Sequence, residues 1–293
     1  MFSALQANIG LLLFAAIVVG LVVGSFLNVV MHRLPIMMML EWRETAEDYQ
    51  KNPPQNLPAN ISEKTFNLMT PRSRCPHCGH AISAWENIPV ISFLLLRGRC
   101  VQCKTPISWQ YPIIECVSAI LAAIAVWQFD FTILALWAAV LSWALLALTV
   151  IDFKTYYLPD KITLPFIWLG LLINLQNGFV SLSAAVIGAT AGYLSLWLFY
   201  HLFKSITGKE GMGYGDFKLF AMLGAWLGWQ ALPGIIVLSA VVGSIVGLSL
   251  IIFFKRDRHH AIPFGPYLAG AGWIYLLWGT AINQSYWRWL QPL

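Results

Sequence analysis

Apolar residues in this chain fall into long unbroken blocks, not into the alternation of an element with one wet face. Such blocks cover residues 9–31, 113–129, 131–150, 182–203, 232–254 and 266–282. Each is close to or above the roughly 17–25 residues that let a helix cross a bilayer. Two shorter blocks, 162–175 and 217–229, lie between them and carry Gly, Pro or Trp at their ends. They are read as two further spans, so the pattern predicts an all-α polytopic membrane protein with about eight transmembrane helices. One stretch breaks the pattern. Residues 37–112 hold eight Lys/Arg and six Asp/Glu, nearly half of all charges in the chain. The expected organisation is a first transmembrane helix within 1–35, a polar insert over 36–112, and a multi-helix membrane domain over 113–293.

Composition agrees. The chain is 58% hydrophobic and 11% charged, with a mean hydropathy of +0.68. A soluble domain is about 45–50% apolar and about 25% charged. An ordinary water-soluble enzyme, a disordered tail and a coiled coil are excluded. The net charge of +5 would fit a nucleic-acid binder, but in a membrane protein it reports orientation. Nothing basic precedes the first apolar block and no small-x-small site follows it, so it reads as a retained helix with its N-terminus outside. Eight alternating spans then place 32–112, 151–161, 204–216 and 255–265 in the cytoplasm. In or within one turn of these loops lie 17 of the 18 Lys and Arg residues, with Arg288 alone outside. One miscounted helix would scramble that separation.

The insert contains Cys75-Pro76-His77-Cys78-Gly79 and Cys100-Val101-Gln102-Cys103, two C-x-x-C pairs with 21 residues between them. A C-x-x-C turn points two thiolates at one tetrahedral ion, and four thiolates close the coordination shell. The expectation is a small cytoplasmic zinc-ribbon-like domain held by a structural Zn2+ on Cys75, Cys78, Cys100 and Cys103. Two disulfides or four free thiols are the alternatives, and a reducing cytoplasm disfavours disulfides. His77 and His80 are spare candidates for the ligand set. Cys116, inside an apolar block, reads as a small buried residue.

Ionisable residues in or beside spanning helices are expensive and tend to be functional. The candidates are Glu115, Asp130, Asp152, Asp160 and Asp216, of which Asp130 falls in an outer turn and is given no role. Asp152 closes an apolar run and Asp216 opens one after Gly211-Met212-Gly213-Tyr214-Gly215. Both lie at the cytoplasmic mouths of their spans and share a depth. Two carboxylates at one site cannot both ionise cheaply, so the pair offers a base and an acid together. That is the equipment for hydrolysing a peptide bond. Gly213 and Gly215 would let the backbone approach an extended peptide closely. The plainer alternatives are an Asp152–Lys154 ion pair and an N-capping role for Asp216.

These residues resemble a known family, the type IV prepilin peptidases. Gly213-Tyr214-Gly215-Asp216 is similar to the G-x-G-D signature of membrane aspartyl proteases. Asp152 with Leu158-Pro159-Asp160, 64 residues upstream of Asp216, resembles the family's partner motif. The run from Gly24 through Asn28 to Arg33-Leu34-Pro35 is similar to its N-terminal signature. The four-Cys insert with Glu86-Asn87-Ile88-Pro89, Tyr111-Pro112 and Glu115 resembles its bifunctional members, and Ile262-Pro263-Phe264-Gly265-Pro266 its last helix. The resemblance implies cleavage of short basic leaders from prepilins and type II secretion pseudopilins at the cytoplasmic face of a bacterial inner membrane. It also implies N-methylation of the exposed residue with S-adenosylmethionine as donor. Asp152 and Asp216 would be the catalytic pair, with Gly213, Gly215 and Asp160 in the substrate-site loops. For the methyl donor no Gly-rich loop is visible, and Glu86 and Asn87 are the candidates. Nucleic acid is not an expected partner, because the insert mixes both signs of charge.

Two other readings are open. A transporter or channel with an intramembrane Asp relay and a zinc-binding insert would show inverted repeats, and the two halves show none. A membrane-tethered zinc ribbon binding nucleic acid would cluster basic residues on the insert, whereas eight basic residues stand among six acidic ones.

Overall fold

Helices occupy every block predicted as a span. The structure, a computed structural model, describes residues 9–45, 66–176, 178–209, 211–254 and 262–290. Lys51, Lys64, Lys255, Arg256 and Arg258, all counted above, lie outside the described residues. Among the described residues the eight long helices are α1 (Ile9–Thr45), α3 (Gln110–Phe129), α4 (Ile133–Thr155), α5 (Asp160–Asn174), α6 (Leu182–Thr207), α7 (Tyr214–Leu227), α8 (Leu232–Phe254) and α9 (Gly265–Leu290). A five-residue helix, α2 (Ile91–Leu95), sits in the insert. Among the described residues there is no β-strand, only two isolated bridges. Among the described residues, five helical segments are long and apolar enough to cross a membrane: Ile9–Trp42, Gln110–Phe129, Ile133–Thr155, Leu182–Thr207 and Trp229–Phe253. The protein is a multi-pass membrane protein.

The first helix is longer than the apolar pattern predicts. It continues through Pro35 to Thr45. Proline removes one helical donor and crowds the preceding turn, yet Met31, Leu34 and Met38, which share one face on either side of it, are buried. Packing on that face holds the helix together.

Two compact units divide after Phe131. In the first, α1 lies along α3. A Cβ on Gly20 would stand 2.5 Å from Ala119 Cα, and one on Gly24 would stand 2.7 Å from Glu115 Cα. Small residues four apart let two backbones meet, which is how helices gain packing energy where lipid removes the hydrophobic drive. Arg33, 9% exposed, donates to the carbonyls of Asn67, Leu68 and Pro71. It ties residues 66–71 back to α1.

In the second unit α7 is the hub. Every residue from Phe217 to Leu227 except Lys218 is buried, and α7 packs against α5, α6 and α9. Fourteen residues rise only about 21 Å, too little for the hydrocarbon core, but a helix sheathed by other helices need not reach both surfaces. Gly188 of α6 and Gly224 of α7 abut so closely that a Cβ on either would overlap the other's carbonyl. On the opposite side, Asn174 of α5 donates to the carbonyls of Ala225 and Trp226 and accepts from Phe179 and Val180 N–H. Trp226 Nε1 donates to Phe166 O at 2.8 Å. These bonds fix α7 in depth and rotation, and with it the residue at its head, Asp216.

Candidate active site and metal centre

Asp152 lies in the last turn of α4 and Asp216 in the first turn of α7. They are 5% and 8% exposed, and both line one cavity of about 470 Å3. The chain ends α4 there because Tyr156 takes a left-handed conformation (φ 56°) with its N–H on Asp152 O, and Pro159 then starts α5. α7 starts on Gly213, whose carbonyl accepts from Asp216 N at 3.2 Å while its backbone bonds the Asp216 carboxylate. The Asp216 carboxylate reaching back to the N-cap backbone is one half of a capping box, with Gly213 as the N-cap and Asp216 the third residue of the helix. The Asp152 carboxylate is bonded by the backbone of Gly265, the first residue of α9. Each carboxylate is therefore held by one backbone group, and the two are near enough for their charges to interact. A close pair of buried carboxylates favours a shared proton.

The rest of the cavity wall comes from the two motif loops and from residues 262–264: Tyr156, Tyr157, Leu158, Asp160, Gly211–Gly215, Lys218 and Phe264. Gly215 lets Leu158 pack against the start of α7, since a Cβ there would meet Leu158 Cβ at 2.8 Å. Asp160 faces Lys218, whose Nζ lies 2.7 Å from both carboxylate oxygens. This pair clamps the start of α5 to α7 two residues beyond Asp216. Lys218 carries no signal in the motif reading, and only the fold brings it to Asp160. Tyr157 titrates above its usual value through burial and the Asp160 charge.

The four cysteines converge as expected from their spacing. Their sulfurs all lie within 4.8 Å of one another, with Cys75 Sγ 3.7 Å from Cys103 Sγ and Cys78 Sγ 4.0 Å from Cys100 Sγ. No disulfide is formed. A tetrahedron with metal–sulfur bonds of 2.3 Å has edges of about 3.8 Å, so the cluster fits a tetrahedral ion. Backbone N–H groups of Cys78 and His77 hold the Cys75 thiol below its usual range. The Thr105 hydroxyl and N–H hold Cys103 down at about 6. Cys78 receives help from the His80 backbone, but desolvation and the three neighbouring thiols push it up to about 11. A cation at the centre would relieve that repulsion.

The two knuckles are copies of one another, a relation that the sequence reading missed. Cys75 N donates to His80 O, Gly79 N to Cys75 O and Ile82 N to Ser73 O; 25 residues later Cys100 N donates to Thr105 O, Lys104 N to Cys100 O and Ile107 N to Gly98 O. Gly79 and Lys104 hold equivalent positive φ values of 72° and 60°. The signal was present in the sequence as Arg-Cys-x-x-Cys followed by Ile82-Ser83 and Ile107-Ser108. Glu86 belongs to the first copy. Its Oε2 accepts the Ser83 N–H and hydroxyl, both at 2.6 Å, and Oε1 lies 3.1 Å from His80 Nε2. The Ser83 bonds, aided by His80, hold the carboxyl down at about 2. His80 thus serves Glu86, while Asn87 is exposed on the same turn.

Known proteins match along most of the chain. A model of the bacterial peptidase A24 N-terminal domain matches residues 18–129, and one of the type IV leader peptidase family matches 139–248. A prepilin leader peptidase/N-methyltransferase of Stutzerimonas stutzeri is 53% identical over 92% of both chains. Proteins of the same name from Aeromonas hydrophila and Pseudomonas aeruginosa are 54% and 50% identical over 91–92% of each chain. No solved structure matches. With both family models in register along the chain and relatives this similar over nearly its whole length, the chain belongs to the type IV leader peptidase family.

Proposed function

We propose that this protein removes the short basic leader of type IV prepilins and pseudopilins and then N-methylates the new N-terminal residue from S-adenosylmethionine. The observation that carries the peptidase is the meeting of Asp152 and Asp216, from opposite ends of two helices, at one cavity. One carboxylate takes a proton from water as its oxygen attacks the scissile carbonyl carbon; the other, protonated, gives its proton to the carbonyl oxygen. Collapse of the tetrahedral intermediate breaks the C–N bond, and the amine leaves with a proton from the dyad. Gly213 and Gly215 admit the extended substrate, and Asp160 with Lys218 holds the two loops in register. An intramembrane proton relay would need a continuous polar path, and the Asp cavity supports bond cleavage better.

In this reading residues 113–293 carry the peptidase and the insert at 36–112 serves methyl transfer, with Glu86 shaping the first knuckle and Asn87 open to the donor. Zn2+ on Cys75, Cys78, Cys100 and Cys103 supplies cross-linking, since four thiolates leave no position for chemistry. The charge asymmetry of the loops supports an orientation in the inner membrane with insert and dyad cytoplasmic. Asp152→Asn and Asp216→Asn, each tested against a prepilin in detergent, are expected to abolish cleavage. Normal processing by either one refutes the dyad. Purified protein is expected to carry one zinc, and less than about half an equivalent would count against the site.

A further inference from the structure

The seam between α1 and α3 encloses a polar cluster that neither the cysteines nor the peptidase cavity explains. Glu115 of α3 is 7% exposed. Its Oε2 accepts the Val90 N–H at 2.8 Å, and the Ser25 side chain of α1 bonds the same carboxylate. Asn28 stands one turn along α1 from Ser25 and is 2% exposed. Its Nδ2 donates to Gly24 O and Tyr111 O, each at 3.2 Å. Those bonds set the amide's orientation, because the flipped form would aim oxygen at two carbonyls. Asn28 Oδ1 is then left with no partner, the single such buried side-chain atom among the described residues.

Such an orphan costs roughly 1–3 kcal/mol. The carbonyls that Nδ2 serves already belong to helix ladders, so the amide returns little stability. A second cost lies beside it. Val90, which caps Glu115, is β-branched and sits at φ 60°, ψ −47°, a conformation worth about 1–3 kcal/mol of strain. Arg97 and Gly98 also have positive φ, so the segment 88–98 is bent at both ends. A buried carboxylate in a spanning helix, an orphaned acceptor and a strained donor meet at one place.

What the cluster lacks is a cation with several N–H donors. We propose that Glu115 and Asn28 Oδ1 form the ammonium-binding site of methyl transfer, reached when segment 88–98 lifts the Val90 N–H away. This rests on the N-methylation reading above. An aliphatic ammonium can come from two sources, the new N-terminus of the cleaved substrate or the amino-acid end of the sulfonium donor. In the first case Glu115 takes the ammonium proton and the freed lone pair attacks the methyl carbon. The C–S bond breaks with its electron pair kept by sulfur, leaving a thioether and an N-methylammonium.

The test uses the full chain in lipid nanodiscs with Glu115→Gln and Asn28→Leu. Calorimetry reads binding of S-adenosylhomocysteine and, separately, of a mature N-terminal peptide with a free or an acetylated amine. The expected result is a loss of at least tenfold in affinity for one of these two ligands in both variants, with leader cleavage within twofold of wild type. Asn28→Leu should melt no lower than wild type, because it removes the orphan. Which ligand is lost identifies the source. Unchanged binding of both ligands, or loss of cleavage in both variants, overturns the proposal. Wild-type protein that binds neither ligand and methylates nothing overturns the N-methylation reading as well.

Discussion

Gly265→Ala is the sharpest probe of the dyad, because it changes no charge and removes no catalytic atom. The backbone at 265 is not in the left-handed region, so alanine carries no conformational penalty there. The added Cβ would lie 2.5 Å from Asp152 Oδ2, where ordinary contacts begin near 3.4 Å. The carboxylate must therefore move by about 0.9 Å or α9 must shift by as much, and the backbone bond from Gly265 is lost or bent. A misplacement of about 1 Å at a reacting group costs on the order of 10²-fold in rate, about 2.7 kcal/mol of barrier. The fitting assay is the single-turnover rate of leader removal, followed by mass spectrometry. N-methylation of a pre-cleaved peptide, which does not use Asp152, reports folding. Gly270→Ala calibrates the result: a Cβ there meets nothing within 4 Å, so cleavage should stay within a few-fold of wild type. Wild-type cleavage by Gly265→Ala would refute the assignment of Asp152 to the reacting site.

Other consequences are as direct. Lys218→Met should cost less than about 1 kcal/mol of stability, since the pair is partly exposed, yet slow cleavage several-fold by freeing the start of α5; a larger fall in melting temperature than in rate would contradict the clamp. Gly224→Ala should destabilise the second unit by about 1–3 kcal/mol through overpacking against Gly188, read as a lower thermal midpoint, and an unchanged midpoint would mean that α6 and α7 are not in backbone contact. Cys103→Ser should release the metal and, with it, the fold of both knuckles, seen as proteolytic sensitivity within 66–109. Because the Glu86 carboxyl is held at about 2, below its unfolded value, its contribution is complete above the unfolded range near 4.3 and is lost as pH falls toward 2. Glu86→Gln should flatten that acid dependence in amide exchange of the insert, and an unaltered profile would refute it.

Much of the architecture was legible in one dimension. Crossing a bilayer demands apolar length, and length is a property of the sequence alone, so all eight helices could be placed from block positions. The cysteine cluster was equally legible, because a C-x-x-C turn is local and only the meeting of its two copies is not. Asp152 and Asp216 could be singled out because charge is scarce in such a chain. What the apolar pattern could not supply was the role of each block. The segment at 217–229 looks like a short span, but only packing makes it the buried hub that sets the depth of Asp216. Lys218 and Asp160 are 58 residues apart, and Gly265 and Asp152 are 113 apart; no local pattern announces either contact. The same holds for Asn28 and Glu115: scarcity of charge marks Glu115 in the sequence, but only the packing of two helices puts it on the same seam as Asn28. Hydrophobic length and turn chemistry are local and so are written in the chain, whereas the partners of a buried polar atom depend on which helices lie beside it, and that is decided in three dimensions.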